Sequence, residues 1–210
     1  MHLKYYNKNW YKEMQIIEFV CFIKSIKEWS EMDIQSLLDE LAERKLDLLK
    51  FLPESTYSLI QTSIINSKCP SDELKRLLKE WIEDCEKRRA HLDRFYLEHF
   101  HSIKKKLPTN VIQLHDYSLH DSVVKSVERR SKDTLIITLD CSGTFSEFDK
   151  LQVTFTGVTK CSIPENFEGA WWLSHEIDLI NEGFELGVLF DCPFEELTIC
   201  AKDVLLEIDN

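Results

Sequence analysis

The spacing of apolar residues changes near the middle of the chain, and this change limits what the chain can fold into. Up to about residue 106 they recur three or four apart; beyond it they alternate. Between Trp10 and Trp29 they fall at Trp10, Met14, Ile17, Val20, Cys21, Ile23 and Ile26, the stripe of a helix with one buried face. Ser30 or Asp33 can cap a second helix, continued by Leu37, Leu38, Leu41, Leu48 and Leu49. Pro53 in FLPES stops it, Ser55 can start another, and a short helix follows through Tyr57–Ile65. Ser71, followed by Asp72 and Glu73, opens a long helix that runs to about Lys106. Lys104, Lys105 and Lys106 oppose its macrodipole, which assigns them to a helix end rather than to a nucleic-acid patch. Leu107-Pro108 ends the helix.

Period two takes over from there. Leu135, Ile137 and Leu139 alternate with Ile136, Thr138 and Asp140, and the pattern returns around residues 151–156, 184–191, 197–201 and 204–208. Six or seven strands are expected. No stretch between them is long enough for a helical crossover at every step, so the sheet should be mainly antiparallel. The chain is therefore predicted to be α+β: a helical region over 1–108, then a mainly antiparallel β-sheet or sandwich over 109–210.

Charge follows the same division. The chain carries 26 Lys/Arg and 37 Asp/Glu. Residues 1–108 hold 19 and 18 of these, residues 109–210 hold 7 and 19, so the second half alone has a balance of −12. Such a surface repels phosphates and favours a basic protein partner, which points away from nucleic acid. The longest apolar run, IIEFVCFI at 16–23, is too short to span a bilayer and contains Glu18. The opening MHLKYYNKNW lacks the apolar stretch of a secretion signal. Seven Cys, an odd number with no CxxC pair, fit free thiols in a reducing compartment. A cytoplasmic protein without a membrane span is expected. With five Gly and no phosphate-cradling loop or GxSxG elbow, no cofactor is expected.

Two stretches could carry chemistry. In LHDYSLHDS (114–122), His115, Asp116, His120 and Asp121 supply imidazoles and carboxylates of the kind a metal needs. The two His face apart in either a helix or a strand, and only a turn at Tyr117-Ser118 would join them. A metal-dependent hydrolase is the alternative that follows from that convergence; the competing expectation is a turn into the first strand. In GAWWLSHEIDL (169–179), Trp171 and Trp172 should point to opposite faces of a strand, one into the core and one free to anchor a partner. Glu176 and Asp178 complete this candidate binding set, and His175 would extend the metal set if it approached His120 and Asp121.

LLKFLPES (48–55), SLHDSVVKSVER (118–129), DTLIITLDCSG (133–143), GAWWLSHEIDL (169–179), FELGVLFD (184–191) and AKDV (201–204) together resemble domain of unknown function 4085, an uncharacterised family of spore-forming Gram-positive bacteria. The resemblance implies helices followed by a β region and carries no activity. The second LHD, at 119–121, fits the family-like pattern; the first, at 114–116, is particular to this chain. Taken with the charge, the sequence predicts a non-enzymatic interaction protein, of the immunity or antitoxin kind, that uses its acidic β domain.

Overall fold

A computed structural model describes residues 3–67, 69–164 and 167–209, with the side chain of Met32 left out. The chain is α+β, with helices first and an antiparallel sheet after them. It divides into two compact units, Asn9–Asp93 and Arg94 onward together with the segment up to Lys8. The division expected between residues 108 and 109 instead falls inside the long helix, between Asp93 and Arg94. A continuous helix gives no local sign of where its packing partners change.

The helical unit is built from α1 (Lys8–Ser25), α2 (Glu31–Glu43), α3 (Lys45–Phe51), α4 (Glu54–Asn66) and the first two thirds of α5 (Asp72–Ile103). Its caps follow the sequence signals. The Ser30 side chain accepts from the Asp33 N–H while Asp33 reaches back to the Ser30 N–H, a complete capping box. The Leu74 N–H donates to Ser71 Oγ at 3.2 Å. Ile16, Val20, Ile23, Leu41, Leu48, Ile60, Leu74 and Leu78 form its core.

In the β unit a short helix, α6 (Thr109–Asp116), leads into eight strands. These are β1 (Val123–Ser131), β2 (Thr134–Asp140), β3 (Lys150–Thr156), β4 (Lys160–Ser162), β5 (Trp171–Ile180), β6 (Gly183–Asp191), β7 (Glu195–Ala201) and β8 (Asp203–Asp209). They form one sheet in the order β4-β7-β6-β5-β1-β2-β3-β8, and every pairing is antiparallel. The β5–β6 hairpin turns on Asn181-Glu182 and needs Gly183. Its φ is +130°, and a Cβ there would meet the Ala201 carbonyl oxygen at 2.1 Å.

The ladder is thinnest between β1 and β5, where only Val123 and Trp171 pair. There the sheet folds over itself. Phe155 on β3 and Phe184 on β6 are four places apart in strand order, yet their rings stack at 6.5 Å. Two four-stranded halves thus share one core, which includes Leu135, Ile137, Val153, Leu186, Val188 and Ile199. Among the described residues, no helix is long and apolar enough to cross a membrane.

Candidate functional site

The seam between the two half-sheets is built by the second LHD. Leu119 is buried, and its carbonyl accepts from the Ser122 N–H at 3.0 Å. Asp121 takes a left-handed backbone, φ +68°, a conformation Asp tolerates better than most side chains. That turn aims the Asp121 N–H at the Trp172 carbonyl, 2.8 Å away, and the Trp172 N–H returns a 2.8 Å bond to Ser122. Ser122, wholly buried, donates its hydroxyl to Cys141 Sγ at 3.4 Å. The stretches at 118–129, 133–143 and 169–179 therefore meet at one place, and what they do there is close the sandwich.

The first LHD belongs to a different element. His115 and Asp116 are the last residues of α6. His115 stacks on Phe100, ring centroids 3.5 Å apart, and contacts Asp116 Oδ1 at 3.1 Å. His120 is paired with its own neighbour, Asp121 Oδ2, at 3.0 Å. Each imidazole is thus engaged by the carboxylate next to it in sequence. Among the described residues no group of three or more His, Cys, Asp or Glu is arranged to hold a metal. His175 approaches His115, edge to face at 6.1 Å, and accepts the Trp172 indole N–H at its Nδ1, 3.2 Å away. Burial lowers the His175 pKa to about 4, helped by the neighbouring His115. His115 is lowered as well, by burial, against the pull of Asp116.

The two tryptophans take opposite faces of β5, Trp172 at 1% exposure in the core and Trp171 at 49% outside. Glu176 and Asp178 also point outward, but they are occupied. The segment Leu3–Tyr6 lies across them. Glu176 accepts three successive backbone N–H groups, from Lys4 at 3.0 Å, Tyr5 at 2.7 Å and Tyr6 at 2.8 Å. Burial raises its pKa while those three donors oppose the rise. Asp178 is bonded to Lys4 and to His99 Nε2, the latter at 3.1 Å. Its burial favours the neutral acid, but the Lys4 ammonium prevails and holds the pKa below the ordinary value. Leu3 fills the space above Gly187, where a Cβ would meet Leu3 Cδ2 at 2.6 Å. Only about 20 Å³ remains under the segment, bordered by Asp178, Glu185 and Thr198.

Replacing Glu176 with Gln should release this segment. An amide has one acceptor oxygen and no charge to offer three donors, so a loss of about 1–3 kcal/mol is expected. A urea melt measures it, and faster amide exchange at Lys4, Tyr5 and Tyr6 localises it. Unchanged exchange at those three amides would refute the tether.

The sequence did not reveal the partners of Glu176 and Asp178. Lys4, Tyr5 and Tyr6 come from about 170 residues away, and His99 and Tyr96 from the long helix. Tyr96 receives the Ile177 N–H at its hydroxyl, 3.1 Å, and packs against Tyr5 and Tyr6, each at 5.2 Å. An aromatic-rich stretch such as KYYNKNW is the only local hint of such a seat.

A comparison with curated proteins finds no match. A family model matches residues 5–201, which takes in the tether from Tyr5, the seam and seven of the eight strands. The chain belongs to the family described as "Protein of unknown function (DUF4085)".

Proposed function

We propose that this chain is a non-enzymatic cytosolic interaction protein, of the immunity or antitoxin kind, whose acidic β unit takes up a basic protein partner. The observation that carries the proposal is the surplus of carboxylates in residues 109–210, 19 against 7 Lys/Arg, which stays at 20 against 13 when residues 1–8 and 94–108 of the same unit are counted. The tether and the turn that follows α5 add cations to this unit, yet they reach only part of it. Lys4 is bonded to Asp178, Lys8 to Glu195, and Lys104 lies 3.7 Å from Asp116. Among the described residues, Glu147, Asp149, Glu168 and Asp191 carry no side-chain ion pair, and Glu207 accepts from Gln152. β8 is an edge strand with exposed Glu207 and Asp209; charge there discourages pairing between copies while still attracting a cationic partner.

The imidazoles and thiols support the non-enzymatic part. His99, His115 and His175 each sit in a fixed contact with Asp178, Phe100 or Trp172. Burial raises the Cys85 thiol to about 12 and Cys200 to about 11, so neither is a ready nucleophile at neutral pH.

Affinity purification of the full chain from its native host, with cross-linking, tests the proposal. The expected result is a basic protein in stoichiometric amount, cross-linked to the β unit and released by salt. Recovery without any basic protein, or with a partner indifferent to salt, would count against it.

A further inference from the structure

Between the end of α6, the loop joining β2 to β3 and the end of β8 lies an open cleft of about 600 Å³, within the range of small-ligand sites. Its walls combine three aromatic rings, Tyr117, Phe145 and Phe148, with the carboxylates of Asp116 and Glu147 and the side chain of Ile208. Of these groups only Asp116 is a candidate ligand in the sequence; Tyr117 stands there as a turn residue and Ile208 as part of a strand.

The cleft has a firm floor and a deliberately exposed rim. Phe148 is 7% exposed and belongs to the β core, and Tyr117 meets it edge to face at 5.0 Å. Phe145, by contrast, is 95% exposed, and Ile208 is 47% exposed. The loop that carries Phe145 is pinned on both sides. Thr144 Oγ1 donates to the Cys141 carbonyl at 2.8 Å and accepts the Ser146 N–H at 3.0 Å; Ser146 Oγ donates to the Ser118 carbonyl at 2.6 Å. The backbone around Phe145 is therefore held while its ring stands in water.

Aromatic faces attract cations, carboxylates fix them, and the cleft brings both together with no Lys or Arg among its lining residues. Asp116 is engaged by His115 at 3.1 Å and loosely by Lys104 at 3.7 Å, which leaves Glu147 as the open carboxylate of the cleft. We infer that this cleft binds an arginine side chain presented by a basic protein segment, with an apolar neighbour of that arginine resting on Phe145 and Ile208. A guanidinium suits it better than an ammonium, because its flat face stacks on a ring while its edge forks onto a carboxylate. The inference rests on the proposed function and names the place and chemistry by which the partner is held.

The test uses the full chain and a blocked Arg-Leu-Arg peptide, followed by calorimetry and by the ring signals of Tyr117 and Phe145. The matching citrulline peptide, of the same shape without the charge, is the control. Binding of the arginine peptide alone is expected, weakened about three- to tenfold by Phe145→Ala and by Glu147→Gln. Both residues are exposed, so both variants should keep the parent melting temperature. No binding at millimolar peptide, equal binding of the citrulline peptide, or binding indifferent to both variants would overturn the inference. A basic partner whose capture ignores both variants would overturn the cleft and leave the functional proposal standing. Peptide binding in the cleft with no basic partner in the host would overturn the functional proposal and leave the cleft.

Discussion

Truncating Trp172 to alanine should destabilise the β unit by about 3–5 kcal/mol, the range for removing a large buried aromatic. The indole is 1% exposed and lies at the fold of the sandwich. It packs edge to face on Phe190 at 5.3 Å, and its N–H is satisfied by His175. Alanine would leave a cavity that neighbours on two half-sheets cannot both close, and would orphan the acceptor on His175. The backbone bonds to Asp121 and Ser122 do not depend on the side chain, so the topology should survive in the folded fraction. The urea midpoint measures the effect. Trp171→Ala is the internal control: that ring is half exposed on the other face, and a change within about 0.5–1 kcal/mol is expected. Equal losses from the two variants would contradict the assignment of faces.

That assignment of faces was readable beforehand, because adjacent residues on a strand must point opposite ways. Which of the two indoles is buried was not, since it depends on the register of β5 against β6 and on the bulge between Trp172 and Ser174. The same contrast holds elsewhere. Ser30 and Ser71 announce their helices because capping is local, settled within three residues. Helix α6 escaped notice because eight residues carry little more than two turns of pattern, and its HD ending had the look of a turn. Strands β2, β3, β6, β7 and β8 declared themselves by alternation, but the pairing of β8 with β3 and the folding of the sheet arise from contacts with no local signature.

The candidate residues show the limit more sharply. Glu176 and Asp178 stand out as acids on a strand, and an acid on a strand looks free to bind. Glu176 is occupied by backbone donors of Lys4, Tyr5 and Tyr6, which any sequence could supply and no side chain advertises, and Asp178 by the side chains of Lys4 and His99, which lie far away in sequence. The doubled His-Asp motif misleads in the opposite sense. Repetition suggests a shared purpose, yet one copy ends a helix and the other turns a corner, because Tyr117–Leu119 separates two different elements. In the cleft, Tyr117, Phe145, Phe148 and Ile208 are ordinary apolar residues until three remote segments bring them to one place.

The pH dependence of stability should carry the mark of His175. Its imidazole packs against Trp172 and His115, and burial holds its pKa down at about 4, against an ordinary value of 6.5. Above the ordinary value both folded and unfolded chains keep the ring neutral, and it contributes no pH slope. As the pH falls from there towards 4, the unfolded chain gains a proton that the folded chain refuses, and stability declines. Once the pH is below the folded value the loss is complete, at about 3 kcal/mol. His115, also lowered by burial, adds to the decline in the same direction. Carboxylates titrate in the same region, so the measurement is a difference. Urea melts of the parent and of His175→Phe are compared between about pH 7 and pH 4. At neutral pH the variant should be less stable by about 1–3 kcal/mol, because the Trp172 N–H loses its acceptor. Towards pH 4 the gap should close and then reverse, since phenylalanine has no proton to take up. A gap that stays constant across the range would mean that the His175 ring is protonated as readily in the folded chain as in the unfolded one.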